Sequence, residues 1–341
     1  MEENTGISEE NSALYEHYRF VVDKGQSLLR IDKFLFSKIE NISRHKIQLA
    51  TRAGCIMVND EAVKQNYRVK PRDIITVLLT FPPRDTTLLP ENIPLNIVYE
   101  DDDIILVNKP AGMVVHPAYG NFMGTLVNAL LYHFLQNGEK KAHPYLAHRI
   151  DKDTSGILLV AKNELAQSIL AKQFFNHTVE RKYVALVWGD FSEDEGTLTA
   201  NVGRSFKDRR IITVFPDGDF GRHAVTHYEV IERFGYVTLI ECQLETGRTH
   251  QIRAHMKYLG HPLFNDATYG GNEIIKGTTF SKYKQFIHNC FTIIPRQALH
   301  ARSLGFIHPA TGKFMLFDSV LPPDMQEVIE KWRRYVKGSS V

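Results

Sequence analysis

The stretch VTHYEVIERFGYVTLIECQLETG, residues 225–247, decides the fold class, because it contains two runs in which apolar and polar residues alternate. Such alternation is typical of strands with one buried face. Phe234-Gly235 separates the two runs and predicts an antiparallel hairpin. Elsewhere predicted strands outnumber helices and are not regularly interleaved with them. The sequence therefore predicts an α+β fold, with a central mixed or antiparallel sheet flanked by helices, and disfavours a Rossmann-type fold.

Outward from this hairpin, the chain divides into four predicted regions. Residues 1–17 are polar and acidic, which is typical of a solvated tail. Residues 18–80 are predicted to form a small domain of two short helices on a small sheet. Residues 81–95 contain four prolines and are predicted to be a linker. Residues 96–338 then form the larger domain.

Two local signals support the small domain. Ser43 precedes a helical stretch and is a suitable N-cap for a helix that runs from Arg44 to about Ala53. Asn59-Asp60 interrupts an alternating run and predicts a tight hairpin turn. We therefore expect a helix followed by a two-stranded hairpin in this part of the chain.

The composition of the 341-residue chain excludes several classes of protein. With 41 Lys and Arg against 39 Asp and Glu, the formal net charge is +2, so binding to nucleic acid would depend on local patches. No stretch approaches the roughly 20 apolar residues that span a bilayer, and the first residues lack the pattern of a secretory signal. The three cysteines lie far apart, which supports neither a disulfide framework nor a zinc site. We expect a cytoplasmic monomer with no membrane partner.

The first candidate site lies in AHRIDKDTSGILLVAK, residues 147–162. Asp151 stands among cations in a loop just before an apolar run that is suited to a buried strand. A carboxylate beside the guanidinium of Arg149 would be held ionised and could act as a nucleophile or a base. The alternative is an aspartate that stabilises the turn and pairs with Arg149 at the surface.

The second candidate site lies in LETGRTHQIRAHMKYLGHPL, residues 244–263. Thr249 is predicted as the N-cap of a short helix that ends at Gly260. Arg253 would lie in the first turns of this helix, where a cation opposes the helix dipole, so we expect a carboxylate nearby. The alternative is a basic helix on the surface.

Tyr183 lies in the predicted strand VERKYVALVWG of residues 179–189. Its aromatic face could stack on a nucleobase, or it could simply pack within the sheet.

Basic residues also cluster at 207–210 and around the second helix of the small domain, which together favour a polyanionic partner. The histidines do not follow a zinc spacing, and no GxxxxGK[ST] loop is present, so we predict neither a metal nor a cofactor.

These segments are similar to known signatures. HRIDKDTSG and GRTHQIRAHM resemble two signatures of the RluA-type pseudouridine synthases, and VNKPAGMVVHP, RKYVALVWG and RQALHARSLGFIHP match the same family. Residues 18–80 resemble an S4 RNA-binding module through RIDKFL, SRHKIQ and AGCIMVND. The resemblance covers nearly everything after the predicted tail.

The resemblance implies a role for each matching residue. Asp151 would be the catalytic aspartate, Tyr183 the aromatic side chain that packs on the target uracil, and Arg253 the cation paired with Asp151. The substrate-binding residues implied in the same way are Arg149, which would occupy the space vacated by the flipped base, Arg248, Leu299 and His148. The RNA-binding residues implied in the S4-like domain are Arg44, Lys46 and Arg52.

The implied function is isomerisation of specific uridines to pseudouridine in large-subunit ribosomal RNA, free or in a pre-ribosomal particle. This chemistry breaks the N1–C1′ bond, rotates the flipped base and rejoins it through C5, without a metal or cofactor. One alternative is a non-catalytic RNA-binding or ribosome-assembly protein on the same scaffold. Another is a glycoside hydrolase using Asp151 and Asp153, although their closeness in sequence disfavours the opposed geometry that such enzymes need.

Overall fold

A computed structural model describes residues 15–39, 42–79, 88–117, 121–139 and 143–339. The described residues form two compact units, one before and one after residue 88, and each is described by itself. Residues 1–14 of the predicted tail and 81–87 of the predicted linker lie outside the described residues. In the described ranges, no helix is both long and apolar enough to cross a membrane.

The first unit combines short strands with two helices. In chain order its elements are β1 (Tyr15–Val21), β2 (Leu29–Arg30), α1 (Ile31–Lys38), α2 (Arg44–Arg52), β3 (Ile56–Val58), β4 (Glu61–Ala62), β5 (Arg68–Val69) and β6 (Ile74–Leu79). One sheet has the strand order β1-β6-β3-β4, and β2 pairs with β5. Strand β1 begins at Tyr15, inside the predicted tail.

Both local predictions for this unit are confirmed. The Ser43 hydroxyl accepts a hydrogen bond from the Lys46 backbone N–H and so caps α2. Asn59 and Asp60 have φ of 49° and 69° and join β3 to the antiparallel β4. Positive φ at both positions is what a tight two-residue hairpin turn requires.

The second unit contains the larger sheet. In chain order its elements are β7 (Ile97–Glu100), β8 (Ile104–Lys109), α3 (Leu126–Gln136), β9 (Tyr145–Leu146), β10 (Ser155–Ala161), α4 (Glu164–Phe175), β11 (Glu180–Trp188), β12 (Glu195–Arg204), β13 (Ile212–Phe215), β14 (Arg222–Arg233), β15 (Val237–Leu244), α5 (Gln251–Tyr258), α6 (Ser281–Ile293), β16 (Leu299–Ile307), β17 (Phe314–Asp318) and α7 (Pro323–Ser339).

The predicted mixed sheet and its central hairpin are confirmed. The strand order is β13-β12-β14-β15-β11-β16-β10-β8-β7, with β17 beside β16 and β9 beside β10. Strands β14 and β15 pair antiparallel on either side of Phe234-Gly235. The one parallel pairing between these strands joins β10 to β16.

Helices cover both faces of this sheet. Strand β10 is buried along its whole length. Its residues Ile157 and Leu159 pack with Leu170 of α4, whereas Leu158 and Val160 pack with α3. Strands β11 and β15 pack on α6 and α7 on one side and on α5 on the other. A strand that is buried on both faces consists of consecutive apolar residues, which is why the run GILLVAK predicts β10.

The prediction of Thr249 as the N-cap of α5 is wrong by one residue. The helix begins at Gln251, and the N-cap His250 adopts a left-handed conformation with φ of 52°. The Gln251 side chain accepts hydrogen bonds from the Thr246 hydroxyl and the Arg248 backbone N–H and donates to the Val225 carbonyl. These contacts tie the first residue of the helix to the β14–β15 region, so the chain must turn at His250.

A row of backbone pairings crosses the middle of the sheet. Gly156 of β10 lies opposite Ala301 of β16, Ala301 lies opposite Tyr183 of β11, and Tyr183 lies opposite Cys242 of β15. Gly156 has φ of 117°, which disfavours every residue with a side chain. The loop that carries Asp151 leads into β10, which is therefore separated from the strand of Tyr183, β11, by β16 alone.

We predict that Gly156→Ala destabilises the protein by about 3 kcal/mol or more, because a Cβ there would overlap the Ala301 backbone as well as strain φ. Gly235→Ala is the matched control, since Gly235 has φ of 78° but open space around it. Its expected cost is about 1 kcal/mol. Denaturant unfolding of both variants measures the difference, and equal destabilisation would show that the close approach to β16 is unimportant.

Candidate active site

A cavity of about 400 Å³ opens beside the loop that precedes β10. This volume lies in the range of small-molecule sites in proteins. The described lining includes all seven predicted catalytic and substrate-binding residues of the larger domain, namely His148, Arg149, Asp151, Tyr183, Arg248, Arg253 and Leu299. Residues that are up to 151 positions apart in sequence thus meet in one place.

The centre of the cavity is an arginine that is shared by two carboxylates. Arg253 donates from one terminal nitrogen to Asp151 Oδ2 at 3.1 Å. Its Nε and other terminal nitrogen donate to the two oxygens of Asp266, at 2.7 and 2.9 Å. The Asp266 side chain is 1% exposed and that of Asp151 is 21% exposed. One carboxylate therefore anchors the guanidinium, and the other faces the cavity.

This arrangement accounts for the buried cation at the start of α5. Burial alone would lower the pKa of Arg253, but Asp266 and Asp151 outweigh it and raise the pKa. A buried charge is tolerated when it is paired and its hydrogen bonds are satisfied. Sequence reasoning predicted a compensating carboxylate but missed Asp266, because nothing in the segment FNDATYGG distinguishes it from an ordinary turn aspartate.

Two neighbouring rings complete the surroundings of Arg253. Its guanidinium carbon lies 5.0 Å from the ring centroid of Tyr269, whose hydroxyl is 3.1 Å from His250 Nδ1. His250 Nε2 lies 3.7 Å from Asp151 Oδ2. Burial lowers the pKa of His250, although Asp151 acts in the opposite direction. His250 is therefore uncharged at neutral pH, and Arg253 is the cation that pairs with Asp151.

Tyr183 and Leu299 form an apolar side of the cavity. Tyr183 packs at the junction of two core clusters and is partly exposed, and Leu299 is 4% exposed in the neighbouring strand β16. Burial raises the pKa of Tyr183, and the negative charge of Asp151 adds to this effect. The phenol therefore stays neutral and presents a flat ring close to a carboxylate.

His148 has a structural contact on the opposite side. Its Nε2 accepts a hydrogen bond from the Leu159 backbone N–H at 3.0 Å, and its ring stacks on Phe174 with centroids 4.5 Å apart. The guanidinium of Arg181 lies 5.6 Å from the same phenylalanine ring. Burial, helped by Arg181, lowers the pKa of His148 to about 3. The imidazole is neutral and holds the start of the loop against β10.

The backbone of the Asp151 loop is held by two buried cations. The Lys109 ammonium donates to the carbonyl of Lys152 at 2.9 Å and to two carbonyls of its own segment. Arg296 donates to the carbonyl of Asp153 at 3.0 Å and pairs with Asp324 of α7. The two held carbonyls lie one and two residues after Asp151, which restricts the position of that carboxylate.

Asp151 is the one carboxylate among the described residues that line the cavity. Asp153 does not line it, so the structure does not supply the opposed carboxylates that the glycoside-hydrolase alternative requires.

Elsewhere, Asp101, Asp103 and His308 bring possible metal-ligand atoms together. His308 Nε2 contacts Asp101 at 2.8 Å and its Nδ1 accepts from two backbone N–H groups, so protein partners already occupy both nitrogens.

The three predicted RNA-binding residues of the first unit differ in their surroundings. Arg44 contacts the buried Asp32 at 2.9 Å, beside further hydrogen bonds from Gln48 and Arg30. Burial would raise the pKa of Asp32, but these three donors lower it to about 2. Lys46 and Arg52 are exposed on α2. Arg44 therefore joins α2 to α1, whereas the other two cations face solvent.

Comparison with known proteins gives consistent matches. Residues 103–258 match the family model described as RNA pseudouridylate synthase, and residues 29–75 match that of the S4 domain. An uncharacterized RNA pseudouridine synthase of Chlorobaculum parvum is 45% identical over 323 residues, which cover 93% of this chain and 98% of the relative.

Two further matches extend the comparison. The ribosomal large subunit pseudouridine synthase D of Zymomonas mobilis is 43% identical and covers 87% of this chain and 92% of its own length. Among solved structures, human RNA pseudouridylate synthase domain containing 4 matches with a TM-score of 0.56 at 22% identity. That match covers 70% of this chain and 93% of the human chain, and it supports the fold.

We predict that the free energy of unfolding decreases as the pH falls from about 6.5 to 4. Burial lowers the pKa of His148 to about 3, and the pKa values of His255 and His300 to about 4. The unfolded chain therefore binds up to three protons that the folded chain resists, so the slope reaches at most about 4 kcal/mol per pH unit. Denaturant unfolding at several pH values measures this slope. His255→Gln should reduce it by about one third, and a flat profile would contradict the buried neutral state.

Proposed function

The chain belongs to the RNA pseudouridylate synthase family, and from this premise we propose that it converts specific uridines of large-subunit ribosomal RNA to pseudouridine with Asp151 as its catalytic carboxylate. Membership makes the chain an RNA pseudouridine synthase, an isomerase. The observation that carries the role of Asp151 is its position, because it faces the cavity while Arg253 holds it. The name of the Zymomonas mobilis relative supports ribosomal RNA as the substrate.

The isomerisation needs one ionised carboxylate at the sugar. The N1–C1′ bond breaks, the uracil rotates, C5 bonds to C1′, C5 loses its proton and N1 gains one. Asp151 starts this sequence either by attack on C1′ or by removal of the C2′ proton. Both routes require an oriented carboxylate, and the hydrogen bond from the guanidinium of Arg253 at 3.1 Å orients that of Asp151.

Base flipping supplies the uridine to this carboxylate. Extruding a base from its stack costs a few kcal/mol. The ring of Tyr183, beside Leu299, offers a flat apolar face that offsets this cost by packing on the uracil. In this proposal Arg149, which is exposed and lines the same cavity as Asp151, enters the space that the base vacates. Arg248 and His148 bound the same cavity and complete the proposed contact surface for the nucleoside.

The first unit contributes RNA affinity in this proposal. The S4 match covers α1 and α2, and the exposed cations Lys46 and Arg52 are placed to contact phosphates. Arg44 also contributes, because its side chain stays 44% exposed while it pairs with Asp32. We propose that the protein acts in the cytoplasm on ribosomal RNA or a pre-ribosomal particle. We also propose that the protein acts as a monomer.

We predict that Asp151→Asn lowers the rate of pseudouridine formation by at least about 100-fold, because the amide keeps the shape but cannot attack or take a proton. RNA binding and the thermal midpoint should change little, since Asp151 is partly exposed and Arg253 keeps Asp266. The assay is pseudouridine mapping in ribosomal RNA from cells that lack the protein, complemented with either chain. Restoration by the variant would contradict the catalytic role, and unchanged ribosomal RNA in the deleted cells would contradict the substrate.

Asp266 is the positioning residue in this account. We predict that Asp266→Asn lowers kcat by about 100-fold with little change in KM, because Arg253 loses its anchor while no group that faces RNA is removed. Asp208→Asn is the matched control, since Asp208 also pairs with an arginine but lies at an exposed loop. Steady-state kinetics and thermal unfolding test both variants. A kcat equal to that of the control would show that Arg253 does not depend on Asp266.

A further inference from the structure

Arg181 of β11 is a buried cation with an incomplete set of hydrogen bonds. It is 6% exposed and lines the catalytic cavity. Its Nη2 donates to the carbonyl of Glu245 at 2.9 Å, whereas its Nε is buried and has no hydrogen-bond partner among the described residues. The guanidinium carbon lies 5.6 Å from the ring centroid of Phe174. Burial lowers the pKa of Arg181, and the charge of Arg248 acts in the same direction.

The other buried lysines and arginines that the structure describes have fuller sets of partners. They are Lys109, held by three backbone carbonyls, Lys162 and Arg253, each held by two carboxylates, and Arg296, held by one carboxylate and three carbonyls. Arg181 has one carbonyl and, within the described ranges, no carboxylate. A buried charge in this state costs folding free energy. An unsatisfied buried group in the wall of a cavity indicates a ligand that supplies the missing acceptor.

Gly247 makes room for this guanidinium. It lines the same cavity, and a Cβ built on it would lie 2.4 Å from Arg181 Nη1. The φ of Gly247 lies outside the left-handed region, so its backbone conformation does not require glycine. What requires glycine here is the close approach of the arginine. Nη1 therefore lies beside a residue of the cavity wall, and the described residues offer it no acceptor.

The geometry of β11 places Arg181 beside Tyr183. The two residues are two positions apart in one strand, so their side chains lie on the same face of the sheet, and both line the cavity. The charge of Arg181 acts on the Tyr183 phenol, which confirms that the two groups are close. Because the ring of Tyr183 is proposed to pack on the uracil, Arg181 lies next to the position of the same base.

Both routes of the proposed isomerisation transfer negative charge to that base. In the first route an Asp151 oxygen bonds to C1′ while N1 leaves with the electron pair of the N1–C1′ bond. In the second route Asp151 takes the C2′ proton, and a C1′–C2′ double bond forms as N1 leaves with the same pair. Asp151 becomes neutral in either route. The uracil becomes an anion whose charge is shared by N1, O2 and O4.

The charge stays on the base until C5 bonds to C1′. In the first route C5 displaces the Asp151 oxygen, and in the second C2′ regains its proton from Asp151, so that the carboxylate is restored. Loss of the C5 proton and protonation of N1 then complete the product. A fixed cation beside the detached base stabilises the anion and the transition states that lead to and from it.

We propose that Arg181 is a catalytic residue that donates to O2 or O4 of the uracil and stabilises the anion while the base is detached. This inference rests on the proposed function, since it takes the cavity as the place of the uridine. Arg253 remains the partner of Asp151, so two arginines serve the two sites of negative charge. The buried position of Arg181 strengthens this effect, because water screens a buried cation less than an exposed one such as Arg149.

The experiment measures conversion of a ribosomal RNA fragment that contains a mapped target uridine, in a single turnover with the full chain in excess. Arg181→Met should lower the rate constant about 100-fold, as expected for the loss of one donor to a developing oxyanion. Its Kd for the RNA should stay within about threefold, because the base is neutral until the bond breaks. Arg181→Lys keeps the charge and should recover at least about tenfold of the lost rate.

Stability separates this role from a structural one. Arg181→Met should keep or raise the thermal midpoint, because an apolar side chain replaces a buried cation that lacks a carboxylate. Lys182→Met is the matched control, since Lys182 is the next residue of β11 and pairs with Glu241 outside the cavity. Its rate constant should stay within about twofold of that of the parent chain.

A target 5-fluorouridine tests the charge on the base directly. The fluorine withdraws electrons and stabilises the uracil anion without help from the protein. The deficit of Arg181→Met relative to the parent chain should therefore shrink from about 100-fold with uridine to about 10-fold with 5-fluorouridine. The measurement is the disappearance of the target nucleoside from a nuclease digest, which counts cleavage of the N1–C1′ bond even where the fluorine blocks the final step.

The outcomes distinguish failure of this role from failure of the proposed function. A parent chain that leaves the target uridine unchanged would contradict the proposed function. Conversion by the parent chain together with an Arg181→Met rate equal to that of Lys182→Met would overturn the role of Arg181. Equal deficits with uridine and 5-fluorouridine, or a lost rate explained by a lower thermal midpoint, would overturn it as well.

Discussion

The contact on which the site depends is the division of one guanidinium between two carboxylates. Asp266 takes two donors of Arg253 in the interior, and Asp151 takes a third at the edge of the cavity. A surface ion pair of this kind would contribute little. Here the arginine is nearly buried, so its direction is fixed by Asp266 before any substrate arrives. Asp151, the proposed catalytic carboxylate, therefore accepts its hydrogen bond from a guanidinium that is already oriented.

The sheet provides the frame for this contact. Gly156, Ala301 and Tyr183 form a row across three strands, which places the loop of Asp151 near the ring that is proposed to pack on the uracil. Behind the loop, Lys109 and Arg296 hold two of its carbonyls. The order of the strands thus brings the Asp151 carboxylate and the Tyr183 ring to the same cavity, while Lys109 and Arg296 hold the loop from behind.

Local patterns in the sequence were sufficient for much of this structure. Alternating residues around Phe234-Gly235 identified the central hairpin, Ser43 identified a helix start, and the two family signatures brought Asp151 and Arg253 together. The role of Asp266 was not predictable, because its contact with Arg253 exists only in the folded structure. The N-cap of α5 was predicted one residue early, since the tertiary contacts of Gln251 override the N-cap preference of Thr249.

The central claim is that Asp151, held by Arg253, acts on a uridine that has left its stack. A crystal structure of the Asp151→Asn chain bound to its ribosomal RNA fragment tests it most directly. The account predicts a uracil packed on Tyr183, with C1′ or C2′ of its ribose within roughly 3.5 Å of the side chain at position 151. A target uridine that remains stacked in the RNA, or lies away from Arg253 and Tyr183, would contradict it.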